Sequence, residues 1–407
     1  MNFILVCCLL AFWFVWPHRA PAQQSSILAG TVTDARTRAP IPYASLSIAH
    51  TPIGTVSNSE GSFRLQLAGH LTDTVVVQAL GYSTRKVRVT PALLSSSQPL
   101  TLQPQAVALH VVSVTGLSPT TLIKKAVRRS WADMASPVVL NTYFREFVTK
   151  DSAYIKFGDA LIDYYIEQNR RRPAHPRVQA RVVESRVSEA PAEAAGLMAG
   201  CFPPPHDVVS SGEYYNVTNG SPFLDSASFR FYTYQLDMTT ASADGTEAAQ
   251  YVLTCTPRTH AENHLRRATV RIDQRTLHIR SIESEVPLDL QQYQYQAGNP
   301  FVTARLTTFR KRVVYHENNG RLYPAFVWTE GGWRVAQVTK PVTYYVFTSE
   351  LLVTNLANNP APFPDSEQYS GPLYKRGTHY EHPYWLENNS VPATEAEAKA
   401  ISELASK

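Results

Sequence analysis

The sequence predicts a mainly β protein in two parts: a small β-sandwich, then a curved antiparallel sheet with one packed helix. Three observations carry this. Residues 27–115 alternate apolar and polar side chains over short runs broken by turn formers. Residues 138–355 do the same over longer, aromatic-rich runs. Between them, residues 119–131 hold the one well-marked helical pattern.

In the front stretch Val32 sits between Thr31 and Thr33, and Leu46 and Ile48 straddle Ser47. Phe63, Leu65 and Leu67 line one face while Ser62, Arg64 and Gln66 point the other way. Asp34, Pro40, Gly54 and the run Asn58 to Gly61 mark the gaps, because glycine reaches positive φ without steric cost and Asn or Asp bond to their own backbone. Several short strands with regular turns form a small antiparallel sandwich. It contains no nucleophile–base pair, ligand cluster or phosphate loop.

The landmarks Gly30 to Asp34, Pro40 to Ala44, Gly54 to Asn58, Gly61 to Phe63 and Leu80 to Tyr82 occur in order. With them the stretch resembles the carboxypeptidase-regulatory-like domain common at the front of Bacteroidetes envelope proteins. The resemblance implies a transthyretin-like sandwich and a non-catalytic role. It also precedes many TonB-dependent receptors. Here some 290 residues follow, without the repeated ~10-residue strands of a long barrel, so a receptor is not expected.

Met1 to Ala22 reads as an export signal, with an apolar core from Phe3 to Trp16 and a small-residue ending at Ala20 to Ala22. Cys7 and Cys8 lie inside the apolar run, too early for a lipidation site. No later stretch reaches the ~18 apolar residues of a membrane helix. The expected setting is the periplasm or the outer membrane. The formal charge of +5 falls to +4 when Arg19 leaves with the signal, too mild and too dispersed for nucleic acid. Two cysteines then remain, Cys201 and Cys255. In an oxidising compartment they are a candidate disulfide, the alternative being two buried thiols.

After a bridge over 91–117, Ser118 caps the helix and Pro119 fits its first turn. Leu122, Ile123, Ala126, Val127 and Trp131 form its apolar face; Lys124, Lys125, Arg128 and Arg129 form the other. That basic face suits anionic headgroups or, more simply, solvent. Turn signals then separate the strands: Asn219-Gly220, Asp244-Gly245, Asp273 to Thr276, Asn318 to Gly320 and Glu330 to Gly332. A sheet this long must curl to bury a face and limit its edges. Residues 356–407 are expected as a Pro- and Asn-rich surface tail anchored by Trp385, ending in a short helix capped by Thr394. The helix, Asn141 to Glu146, Ala268 to Glu285 and Tyr380 to Asn388 together resemble a domain often found behind the regulatory-like module in proteins of unassigned role. The Ile272-Asp273 hairpin is also similar to those of LolA-like half-barrels, which hold lipid acyl chains.

The search for chemistry finds little. Arg170, Arg171, Arg172, Arg177, Arg181 and Arg186 suit phosphate or guard an edge strand. His379 and His382 share a loop with no third ligand in view, so no metal is expected. Glu283 and Glu285 share a strand face through simple alternation. Tyr164, Tyr165, Tyr232, Tyr234, Tyr344 and Tyr345 either fill core or line a cavity. No catalytic residue and no cofactor is expected. The function predicted is an exported, non-enzymatic binding or scaffold protein whose partner is a cell-envelope protein, glycan or lipid. A glycan or cell-wall hydrolase and a periplasmic lipid carrier are the alternatives.

Overall fold

The computed structural model describes residues 27–79, 81–95, 99–104, 118–169, 176–189, 209, 221–239, 248–258, 265–293, 296–379 and 388–405. The expected signal at 1–22 lies outside them. The front part holds β1 (Ile27–Asp34), β2 (Ser45–Ile48), β3 (Gly54–Val56), β4 (Ser62–Gln66), β5 (Thr74–Gln78) and β6 (Arg85–Arg88). The one-turn helix α1 (Pro91–Leu94) and β7 (Leu100–Leu102) complete it. One sheet runs β4-β1-β7 and the other β3-β2-β5-β6. Val32, Leu46, Leu65, Val75, Val77 and Leu102 are fully enclosed between them. The sandwich is not wholly antiparallel, because β1 pairs β7 in parallel. The chain crosses back through α1 before laying down β7, which reverses the strand direction. At the β4 turn, Gly61 has φ +75° and a Cβ there would meet the Val32 carbonyl at 2.6 Å, so the position requires glycine.

The second part begins with α2 (Pro119–Asp133), whose cap is as expected: the Ser118 side chain accepts from the Thr121 amide at 3.2 Å. Then follow β8 (Val138–Lys150), β9 (Ala153–Glu167), β10 (Arg177–Glu189), β11 (Tyr232–Thr239), β12 (Gln250–Pro257), β13 (Arg267–Asp273) and β14 (Ile279–Glu285). The last strands are β15 (Gln296–Asn299), β16 (Val302–Asn318), β17 (Arg321–Gln337) and β18 (Lys340–Asn358), before α3 (Leu373–Arg376) and α4 (Glu395–Ala405). They form one open antiparallel sheet, β10-β9-β8-β18-β17-β16-β14-β13-β12-β11, with β15 against β16. The fold is therefore mainly β, a curved open sheet with a packed helix behind a sandwich.

Alternation gives this sheet two faces. The inner one packs Phe144, Ile162, Tyr164, Val270, Ile272, Val313 and Tyr315 around Leu122, Ile123 and Ala126 of α2. The outer one carries Tyr143, Leu161, Phe326 and Leu352, packed against Val56 of the sandwich and Val391 of the tail. Tyr43 of the sandwich lies over Phe326 and Trp328, with ring centroids 5.8 and 5.5 Å away. The sheet is thus buried on both sides over much of its width.

Two expectations need correction. Glu330-Gly331-Gly332 is not a hairpin but the middle of β17. A Cβ at Gly331 would sit 2.1 Å from the Phe347 ring on the neighbouring strand, so the glycine makes room for an aromatic. The tail is not merely a surface tail: Asn389, Val391 and Thr394 are buried. Asn389 accepts the Gln66 amide at 2.7 Å, and Asn58 donates to the Pro392 carbonyl at 3.2 Å. The tail is wedged between the two parts. Trp385 lies outside the described residues. In α4, Thr394 accepts from the Glu397 amide while Glu397 accepts from the Thr394 amide, a reciprocal capping box.

Beneath the wedge sits Arg145, only 2% exposed. It donates to Glu350 at 2.6 Å and to the Val391 and Pro392 carbonyls at 3.2 Å each, with Glu397 3.6 Å away. Burial opposes its charge, yet Glu350, Tyr143 and Glu397 outweigh that and raise its proton affinity. Replacing Arg145 by Met leaves Glu350 buried without its partner. Urea unfolding of Arg145→Met is expected to show a loss of about 3–5 kcal/mol, and Arg145→Met with Glu350→Leu to recover most of it. Equal losses in both variants would contradict this picture.

Candidate functional site: an interdomain cleft

Where the sandwich does not press on the outer face, a cleft of about 650 Å³ opens between them. Its floor follows from strand alternation. On β13, Val270 and Ile272 point inward and Arg271 outward; on β16, Val313 and Tyr315 point inward, and Arg312 and His316 outward. The roof is a face of the second sandwich sheet, with Ser45, Ser47, Gln78 and Lys86. Ser45 and His316 meet at 3.5 Å across the cleft.

The cleft is cationic. Lys86, Arg271, Arg280 and Arg312 line it against Asp273 and Glu317, a net of two positive charges. Arg280 bridges both acids, Asp273 at 3.3 Å and Glu317 at 3.2 Å. Burial works against ionisation of Asp273, but the Thr276 amide and Arg280 outweigh it and hold the carboxyl below its usual value. Glu317 also faces His278, which contacts Asp133 at 2.8 Å at the end of α2. Both acids of the cleft are therefore engaged.

Arg271 and Arg312 are not satisfied in the same way. Glu283 lies 3.3 Å from the Arg312 Nε, out of line for a hydrogen bond. Among the described residues Arg271 makes no hydrogen bond or ion pair, and its Nε is buried. Burial lowers the proton affinity of both guanidinium groups. Glu283 is the one carboxylate whose charge acts on both groups, and two buried guanidinium groups sharing one acid beside a polar cavity can receive a carboxylate, sulfate or phosphate. Burial also pushes the His316 ring down to about 4, with Arg280 adding to the effect.

The residues singled out from sequence fall elsewhere. Cys255 is a free, buried thiol on the inner face, pushed up to about 12 by burial, and Cys201 lies outside the described residues. Glu283 engages Arg312 and Glu285 engages Arg267. Arg181 and Arg186 lie on the edge strand β10 and pair with Asp163 and Asp159; Arg170 to Arg172 lie outside the described residues. His379 only bridges Ser185 through its backbone, and His382 is outside. Tyr164, Tyr232 and Tyr345 are core, whereas Tyr344 is exposed. Lys124, Lys125, Arg128 and Arg129 stay on the exposed face of α2. Arg271, Arg312 and His316 were not legible as a site. Each occupies a polar position of an alternating strand, which reads as solvent unless a second domain is known to cover it.

The His316 shift has a pH consequence. The folded ring titrates near 4 and the unfolded one near its usual 6.5, so between these values the unfolded chain binds the extra proton. The contribution to stability is complete above pH 6.5 and is lost as the pH falls toward 4. The ring is half-buried, which makes the effect smaller than full burial gives. In unfolding measurements across this window, His316→Gln should flatten part of the pH dependence; an unchanged slope would contradict the assignment.

Comparison with the curated proteins gives no match. Among solved structures, a LolA superfamily protein from Nitrosomonas europaea aligns at 9% identity over 59% of this chain and 94% of its own, with a TM-score of 0.23. A DUF1329 family protein from Desulfovibrio piger aligns at 11% over 61% and 96%, TM-score 0.24. Lipovitellin aligns at 7% over 64% of this chain and 29% of its own, TM-score 0.25. Similarity this distant carries no functional argument. The sequence match is confined to the front: residues 28–114 match the CarboxypepD_reg-like domain family.

Proposed function

We propose that the protein is a non-enzymatic binding protein of the cell envelope, and that its interdomain cleft holds a small anionic, hydroxyl-bearing ligand. The observation that carries this reading is the pair Arg271 and Arg312, which line a polar cleft with buried, unbonded Nε atoms and a single carboxylate, Glu283, between them. The cleft volume is in the range of small-ligand sites. Ser45, Ser47, Gln78 and Gln250 around its rim supply neutral hydrogen-bonding groups for hydroxyls. The regulatory-like front domain and the export signal expected at 1–22 support the envelope setting.

The alternatives find less support. A lipid carrier needs open apolar space on the inner face, and there Leu122, Ile123 and Ala126 are packed with no exposure. A hydrolase needs converging carboxylates with tuned proton affinities, and Asp273 and Glu317 in the cleft are both tied to Arg280.

Titration calorimetry of the full chain with a sugar phosphate, a sulfated sugar and a uronate tests the reading. At least one should bind saturably and more weakly as salt rises. Arg271→Ala and Arg312→Ala should each weaken binding at least tenfold. No binding of any of the three, or binding unchanged in both variants, would sink it.

A further inference from the structure

The long strands β16, β17 and β18 run well past the region that the sandwich covers. From Leu352, which packs under the sandwich, to Lys340 is twelve residues, about 40 Å at ~3.3 Å per strand residue. The hairpins at that far end carry two of the three most exposed large apolar side chains of the described residues. Phe301 at the β15–β16 turn is 72% exposed, and Val338 at the β17–β18 turn is 73% exposed. The two turns are tied together, with the Val338 amide donating to the Phe301 carbonyl at 3.1 Å. Val342, Tyr344 and Val346, which alternate onto the outer face of β18, are exposed as well. Leu288, just beyond β14, is 84% exposed.

Scattered exposed apolar residues need no explanation, but a cluster at the end of a rigid arm does. The charges around it point one way. Residues 296–311 and 329–346 contain Arg305, Arg310, Lys311, Arg334 and Lys340 against Glu330 alone. Glu330 is 3.7 Å from Arg310. The neighbouring β8–β9 turn adds Lys150 and Asp151, and Asp289 follows Leu288, so the end stays positive. Arg305 and Arg334 lie directly opposite each other across β16 and β17, with Tyr344 next in the row. Apolar tips, a tyrosine and a belt of Arg and Lys match the interfacial zone of an anionic bilayer, where apolar area and charge attraction add.

We propose that the β15–β16 and β17–β18 hairpin tips dock the protein on an anionic lipid surface, Phe301 and Val338 entering the headgroup boundary. This is independent of what the cleft binds. It places the arm's end on the membrane, while the sandwich and its cleft sit some distance along the sheet.

Flotation of the full chain with vesicles of phosphatidylcholine alone, or with one-third phosphatidylglycerol, is the test. The protein should float with the phosphatidylglycerol vesicles and be released by high salt. Phe301→Ser with Val338→Ser should lower partition at least tenfold, and Arg334→Glu with Lys340→Glu should do the same. Circular dichroism checks that each variant stays folded; these exposed tips contribute little to the core. The proposal is overturned by no binding of the parent chain, by equal binding to both vesicle types, or by variants that bind as the parent does. Light scattering that shows a dimer broken by the Phe301 and Val338 replacements would also overturn it, since the apolar tips would then serve a second copy of the chain.

Discussion

Arg145 is the residue on which the arrangement of the two parts depends. It reaches from β8 to Glu350 on β18, to two carbonyls of the tail and toward Glu397 of α4, so one side chain joins the sheet to the tail and the helix packed outside it. Burying a guanidinium is costly, and its attraction to a single carboxylate rarely offsets that. Here a second guanidinium nitrogen is also engaged, by the Val391 and Pro392 carbonyls. The price is met only if the tail is in place, which links the position of residues 388–405 to the sandwich they touch through Asn58 and Gln66.

From this clamp the rest of the geometry follows. A helix fills the inner face and a sandwich covers part of the outer one, so the sheet is protected on both sides. The sandwich is smaller than the sheet, and its contact is centred on Val56, Tyr43, Phe326 and Leu352. To one side of that contact the surfaces diverge and enclose Arg271, Arg312 and His316. Toward the other end the strands run free and end in Phe301 and Val338. The cleft and the apolar tip are both consequences of a small domain docked on a long sheet.

Local signals were legible in the sequence and contacts between distant segments were not. The Ser118 and Thr394 caps, the α2 apolar face and the Asn318 to Gly320 turn follow from nearest-neighbour chemistry, and they stand where the residues put them. Gly331 misled because glycine serves two purposes: it permits turns, and it makes room for a neighbour's ring, here that of Phe347. The tail misled because Pro and Asn are common in surface segments, yet Asn389 and Val391 find partners more than three hundred and almost two hundred and fifty residues away. The cleft was hidden for the same reason. An arginine on the polar side of a strand looks alike whether water or another domain lies above it.

The central claim is that sandwich, tail and outer face form one cooperative unit held through Arg145. Native-state hydrogen exchange of the intact chain in rising urea measures this directly. Segments 62–67, 143–148 and 388–397 should lose protection together at one urea concentration, and in Arg145→Met at a lower one, still together. Loss of protection in 62–67 and 388–397 well before 143–148 in the parent chain would contradict the account. The sandwich would then rest on the sheet without being clamped to it.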